Sequence, residues 1–202
     1  MAILKWRYRL PSRRAERTSV NAVLASSAHS DYDATNHLQG NSMIRGVHHV
    51  AISTPNLERI VAFYRDYVGA KVVYEGGWKR GSDLIDTIVG LKNSEAKQAM
   101  LKIGNAYIEF FEYVSPAGNT KDPKYGVNHH GYTHFALDVK DIDTVYTRLV
   151  EGGMTFNCPP PKFEGGSIRA TYGRDPDGNV VEIQEILDPE HNFALERTVS
   201  KF

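Results

Sequence analysis

Two histidines and two glutamates recur at matching positions in two similar stretches of this 202-residue sequence. His49 and His134 each follow a glycine by three residues, and a helix-like run comes after each of them. Glu109 and Glu182 each lie between apolar residues in a strand-like segment further along the chain. Neutral imidazole and carboxylate groups are ligands that divalent transition-metal ions accept readily. We therefore predict that these four residues are the ligands of one metal ion.

Strand alternation gives this prediction its physical basis. Successive side chains in a strand point to opposite faces, so each histidine or glutamate lies opposite the apolar residues that can pack on a helix. An ionised carboxylate on a mostly buried sheet face costs several kcal/mol unless it is paired. Two imidazoles cannot offset two carboxylate charges, whereas a divalent cation can. A single histidine in a strand more often has a structural role, so the argument depends on the matched set of four.

The hydrophobic periodicity predicts an α+β fold in which a β-α-β-β-β unit occurs twice. The first copy is predicted to contain strands 46–53, 71–75, 97–103 and 106–114, a helix over 56–68, and a short helix in the loop 78–94. The second copy is predicted to contain strands 132–139, 167–173 and 179–186, a strand starting at 155–156, and a helix over 141–151. The predicted organisation is a basic extension (1–42), a first module (43–118), a linker (119–131), a second module (132–187) and a C-terminal arm (188–202).

Aromatic residues are expected around the metal. A hairpin centred on Asp177 places Tyr172 opposite Glu182, so Tyr172 is predicted to line the hollow that holds the metal. Tyr107, Phe111 and Tyr132 are predicted by parity to wall the same hollow. Three other sites are expected to lie outside it, namely His48, the pair His129 and His130, and Arg169.

Composition narrows the choice of partners. Lys and Arg together number 24, as do Asp and Glu, so net charge gives no support for a nucleic-acid partner. No apolar run approaches the ~20 residues that a membrane span needs.

The single cysteine, Cys158, excludes both an intrachain disulfide and a cysteine-rich zinc site. A cytoplasmic location is expected, with a mitochondrial one as the alternative because residues 1–42 are rich in arginine and serine and poor in acids.

Four motifs resemble those of the vicinal oxygen chelate superfamily, which includes glyoxalase I, methylmalonyl-CoA epimerase, fosfomycin- and bleomycin-resistance proteins, and extradiol dioxygenases. They are His-Val-Ala-Ile at 49–52, Ile-Glu-Phe at 108–110, His-Phe-Ala-Leu at 134–137, and Asp-Pro-Asp-Gly-Asn-x-x-Glu-Ile at 175–183. The resemblance implies two βαβββ modules that face each other around a metal-binding hollow. It also implies that His49, Glu109, His134 and Glu182 are the ligands, and that the protein is a homodimer.

The resemblance further implies an activity on a small molecule. One divalent ion (Zn, Ni, Co, Mn or Fe) binds two adjacent substrate oxygens, and Glu109 or Glu182 transfers a proton, with Tyr172 orienting the substrate. The leading hypothesis is an isomerase or lyase of the glyoxalase or epimerase type. One alternative is an Fe(II)- or Mn(II)-dependent dioxygenase with the same ligands. The other is a metal-free protein that sequesters a drug.

Overall fold

Two mixed four-stranded sheets carry the residues of interest in the computed structural model, which describes residues 44–120, 122 and 125–195. The predicted extension 1–42 lies outside the described residues, as do 196–202 of the predicted arm and residues 121, 123 and 124 of the predicted linker. The described residues from Gly46 onward belong to one compact unit. No helix in the described part of the chain is long and apolar enough to cross a membrane.

The first module forms a sheet of order β1-β4-β3-β2, in which β1 pairs with β4 in parallel and the other pairs are antiparallel. Its elements are β1 (His49–Ser53), α1 (Leu57–Phe63), a π-helical turn (Tyr64–Val68), β2 (Lys71–Trp78), α2 (Asp83–Val89), β3 (Glu95–Ile103) and β4 (Ala106–Ser115).

The second module repeats this arrangement in the order β5-β8-β7-β6, with β5 and β8 parallel. Its elements are β5 (Phe135–Asp138), α3 (Ile142–Glu151), β6 (Thr155–Phe156), β7 (Ile168–Arg174) and β8 (Val180–Ile186). The predicted α+β class and the two βαβββ modules are therefore confirmed.

Some predicted boundaries are wrong. The strand predicted over 71–75 continues to Trp78, through the two glycines that were expected to end it. Gly77 has φ of 142°, and a Cβ there would lie 2.1 Å from the Ala96 carbonyl oxygen, so glycine permits the close pairing with β3. The strands predicted from 46 and from 132 begin at His49 and Phe135. His134 therefore lies just before β5.

A glutamate from the last strand of each module holds the start of that module's helix. Glu112 accepts a hydrogen bond from the Leu57 backbone N–H (2.8 Å). Glu185 accepts from the backbone N–H groups of Asp141 (2.7 Å) and Ile142 (3.2 Å). A carboxylate at a helix N-terminus pairs with amides that have no partner within the helix and complements the helix dipole. Each helix is thus fixed relative to its own sheet.

Apolar residues from both modules form one core. Ile108 and Phe110 of β4 and Val181 and Ile183 of β8 are buried, and they alternate with the glutamates predicted to bind metal. The helix α1 packs on β3 and β4, and α3 packs on β8. The helix α3 also contacts the π-helical turn of the first module, so the helical segments of the two modules pack together.

The turn at residues 175–179 fastens the second module to the first. The buried hydroxyl of Tyr64 donates to Asp175 (3.1 Å), whose carboxylate also accepts from Asn179. Burial raises the pKa of Asp175, although these hydrogen bonds oppose the rise. Asp177 accepts hydrogen bonds from Thr54 and Arg59, on either side of the start of α1. The Asp-Pro-Asp-Gly-Asn sequence therefore links the modules as well as turning the hairpin.

Candidate metal centre

The first histidine and glutamate meet on one face of the first sheet. In the parallel pairing of β1 and β4, Ala51 lies opposite Glu109 and is two residues after His49, so both side chains are on the same face of the sheet as Glu109. His49 Nε2 is 3.2 Å from Glu109 Oε2, and the glutamate side chain is only 11% exposed. Gln98 of β3 donates from Nε2 to the other carboxylate oxygen, Oε1, of Glu109. This hydrogen bond leaves Oε2 directed at the imidazole.

The second histidine and glutamate form a matching pair on the second sheet. His134 Nε2 is 3.1 Å from Glu182 Oε2, and the Glu182 side chain is 15% exposed. Tyr172 lies opposite Glu182 in the β7–β8 pairing, as predicted from the hairpin. Its ring meets that of His134 edge-on, with centroids 4.7 Å apart. Burial raises the pKa of Tyr172, and so do the charge of Glu182 and a hydrogen bond to it, so the hydroxyl remains protonated and donates to the carboxylate.

The geometry of each pair suits adjacent ligands of one ion. Two ligand atoms about 2.1 Å from a shared metal are about 3.0 Å apart at a right angle and about 3.4 Å apart at a tetrahedral angle. The observed separations of 3.2 Å and 3.1 Å lie between these values. Two carboxylates with two neutral imidazoles carry two negative charges, which a divalent cation offsets. The donor set therefore fits the predicted metal.

The described chain brings these residues together in pairs but does not bring all four together. Among the residues described, no group of three or more His, Cys, Asp or Glu side chains is placed to hold a metal ion. Each pair lies on the face of its own sheet that is turned away from the helix. A single centre built from all four residues remains a prediction.

The family assignment rests on comparison with known sequences. A sequence profile of the Glyoxalase/Bleomycin resistance protein/Dioxygenase superfamily matches residues 46–183, which span most of both modules and include all four predicted ligands. This chain belongs to that superfamily. The sequence resemblance predicted from the four motifs is thereby confirmed.

Named relatives within the superfamily have different activities. The chain is 28% identical over 148 residues to a 2-epi-5-epi-valiolone epimerase from Actinomyces sp., covering 68% of this chain and 77% of the epimerase. It is 28% identical over 162 residues to the metallothiol transferase FosB from Shouchella clausii, and the match covers 77% of this chain and 90% of the transferase. A crystal structure of a glyoxalase family protein from Bacillus cereus superposes on this chain with a TM-score of 0.65 at 22% identity. The superposition covers 75% of this chain and 99% of that protein. That likeness supports the fold.

An aromatic wall beside the first pair was only partly predicted. Trp78, Phe111 and Tyr113 contact one another, with ring centroids 5.7 to 5.9 Å apart. Burial raises the pKa of Tyr113, and the charge of Glu109 raises it further, so its hydroxyl remains a hydrogen-bond donor. Parity with Glu109 identified Phe111 and could also have identified Tyr113. Trp78 was missed because β2 was expected to end before it.

The other residues singled out by the sequence fall in different places. Arg169 forms a two-point ion pair with Asp143 (2.8 and 2.9 Å), on the helix side of the second sheet, as its parity indicated. Tyr132, predicted to wall the hollow, precedes β5 and is fully exposed. The ring of His129 packs edge-on against Tyr125. His48 has a closer relation to the centre, because its ring contacts that of His49.

Proposed function

We propose that this protein is a metal-dependent enzyme that binds two adjacent oxygens of a small carbonyl or hydroxy compound and catalyses proton transfer. It would be an isomerase or lyase of the glyoxalase or epimerase type. The observation that carries the proposal is the duplicated pair, in which an imidazole nitrogen and a carboxylate oxygen lie 3.1 to 3.2 Å apart. Similarity to an epimerase favours proton transfer, and similarity to a metallothiol transferase favours metal dependence.

The proposed ligands of one divalent ion (Zn, Ni, Co, Mn or Fe) are His49, Glu109, His134 and Glu182. Because the described residues do not bring the two pairs together, the proposal includes a homodimer in which the first pair of one chain meets the second pair of its partner. The strands β1 and β5 support this arrangement. Each is the edge strand of its sheet; β1 begins with His49, and His134 immediately precedes β5. An exposed strand edge presents unpaired backbone groups that a second chain can cover.

The chain's own residues supply the proton transfer. When bound, a divalent ion polarises a substrate carbonyl and stabilises negative charge on its oxygens. Glu109 or Glu182 removes the proton from the carbon next to that carbonyl and returns it to the product. Gln98 donates to Oε1 of Glu109 and leaves Oε2 as the oxygen proposed to bind the ion, so Glu109 would act as the base on that side by releasing Oε2 from the ion. The protonated hydroxyl of Tyr172 beside Glu182 orients the substrate.

Metal analysis tests the proposal first. Protein purified without chelators should contain about one divalent ion per chain, and replacing any proposed ligand should lower that content. Glu109→Gln has a matched control in Glu112→Gln, which removes the same charge from the opposite face of the same strand. The first variant should lose metal and the control should keep it. Absence of metal from the wild-type protein, or equal loss in both variants, would contradict the proposal.

Substrate screening tests the chemistry. Small α-hydroxy and α-keto compounds incubated with the enzyme in D₂O should exchange the proton next to the carbonyl, as followed by NMR. Glu109→Gln or Glu182→Gln should abolish the exchange. Oxygen consumption with catechols, without proton exchange, would indicate a dioxygenase instead. Ligand binding that survives removal of His49 and Glu182 would indicate a sequestering protein.

A further inference from the structure

The residue immediately before each histidine contacts the ring nitrogen that faces away from the glutamate. Thr133 Oγ1 is 2.8 Å from His134 Nδ1. His48 Nδ1 is 2.9 Å from His49 Nδ1. Since Nε2 of each ring faces a glutamate, both nitrogens of both imidazoles have a polar partner. The two modules thus share this arrangement although the preceding residue differs in type.

The local backbone explains how neighbouring side chains can meet. Within a regular strand, adjacent side chains point to opposite faces and do not touch. His49 is the first residue of β1, and His134 precedes β5. His48 and Thr133 therefore lie outside the regular strands, where their side chains can turn toward the ring. The ring of His48 also stacks on Tyr107, with centroids 4.9 Å apart and planes 15° apart, which fixes its position.

The chemistry of imidazole gives these contacts a role. A neutral ring carries one proton, and a metal bound at Nε2 requires that proton to be on Nδ1. The Nδ1–H group then needs an acceptor, which the Thr133 hydroxyl oxygen and the His48 Nδ1 lone pair can both provide. Either partner can also act as a donor when the proton is on Nε2 and directed at the glutamate. The same contact therefore suits the ring before and after metal binding.

We propose that Thr133 and His48 are positioning residues, which accept the Nδ1 protons of His134 and His49 and so present each Nε2 to the metal. The inference rests on the proposed function, because it assigns the partners of two proposed ligands. Partners of this kind fix both the tautomer and the orientation of a ligating histidine. Neither residue is expected to touch the substrate or the ion.

Paired substitutions at Thr133 provide the first test. Thr133→Val keeps the shape of the side chain and removes the acceptor, whereas Thr133→Ser keeps the hydroxyl. Titration with Co(II), followed by its visible absorption, should show affinity about tenfold weaker for the valine variant, with most of the loss restored by serine. In the Zn(II)-loaded protein, the Nδ1–H proton of His134 should give a slowly exchanging NMR signal. That signal should persist in the serine variant and disappear or shift in the valine variant.

Substitutions at His48 provide an independent test in the first module. His48→Phe preserves an aromatic ring beside Tyr107 but offers no acceptor, while His48→Asn offers an amide oxygen without the ring. Weaker Co(II) binding by the phenylalanine variant, with recovery in the asparagine variant, is the expected result. If Thr133→Val does not fold, this second pair of variants decides the question.

A reference variant separates the two proposals. If His134→Ala binds Co(II) as tightly as the wild-type protein, the proposed centre is wrong, and the roles of Thr133 and His48 are wrong with it. If His134→Ala loses the metal while Thr133→Val and His48→Phe bind normally with unchanged Nδ1–H signals, only the positioning roles are overturned. Equal loss in Thr133→Val and Thr133→Ser would also overturn the role of Thr133, because the hydroxyl would not be the cause.

Discussion

Mixing two defective variants can show whether the metal centre forms between chains. His49→Ala removes a ligand of the first pair, and His134→Ala removes one of the second pair. If each centre uses the first pair of one chain and the second pair of its partner, both centres are incomplete in a dimer of either variant. A mixed dimer differs, because both substitutions fall in one centre and the other centre is intact.

The size of the recovery follows from this geometry. Random exchange of subunits makes half of the dimers mixed, and each mixed dimer has one intact centre of two, so the mixture should regain about a quarter of the wild-type metal content. The assay is Co(II) binding per chain after the variants are mixed under conditions that allow exchange. Differently tagged chains show that mixed dimers have formed. Activity, once a substrate is found, should recover to the same fraction.

A second mixture provides the control. His49→Ala and Glu109→Gln both alter the first pair, so every centre in their mixed dimer is incomplete and no recovery is expected. Mixed dimers of His49→Ala and His134→Ala that bind no Co(II) would refute a centre shared between chains. Recovery in both mixtures would refute it as well, since the pairs would then not act as units.

Three further predictions concern the fold that supports the site. Glu185→Ala leaves two amides at the start of α3 without their carboxylate and should lower the free energy of unfolding by about 1 kcal/mol in urea titrations. Tyr64→Phe removes a donor to the buried Asp175 and should cost about 1 to 3 kcal/mol in the same assay. The Arg169 guanidinium, more than any other group, lowers the pKa of Asp143 to about 2, and Arg169→Gln should raise it when followed by carboxyl NMR. Because the folded-state pKa is lowered, this contribution to stability is complete above the ordinary pKa of about 4, so the difference in Tm between wild type and Arg169→Gln should shrink as pH falls toward about 2. An unchanged free energy of unfolding in Glu185→Ala or Tyr64→Phe, or an unchanged Asp143 pKa in Arg169→Gln, would contradict the corresponding prediction.

Much of each His–Glu pair was predictable because strand alternation is a local property. The apolar neighbours of Glu109 and Glu182 determine which face each glutamate occupies, and the structure agrees. The partner of Glu182 was predictable because the sequence at 175–179 specifies a tight turn, and the length of that turn sets the register that places Tyr172 opposite. Both inferences need only the residues within one strand or one hairpin.

Other features depend on contacts that no local pattern encodes. The pattern of Glu112 and Glu185 repeats in the sequence, yet it does not reveal that the start of a helix lies within reach of each carboxylate. The extent of β2 was underestimated because Gly76 and Gly77 are usually signs of a turn, whereas close pairing with β3 favours glycine there. Alternation also says nothing about how one sheet lies relative to the other. For that reason the sequence could not show that the two pairs are separate in one chain.

The last strand of each module, β4 or β8, bears one glutamate that is proposed to bind the ion. Three residues later it bears a second glutamate that accepts hydrogen bonds from the start of the helix. A single inserted residue between the two would turn one of them to the wrong face, so changes in length are tolerable only in the connections. Accordingly, 60 residues separate His49 from Glu109 while 48 separate His134 from Glu182, and the first module has the additional helix α2 between β2 and β3. Asp86 of this helix accepts from Ser94, which in turn accepts from Trp78 in the aromatic wall. Substitutions or length changes in the β2–β3 connection that contains α2 could therefore alter substrate preference without changing the strand register.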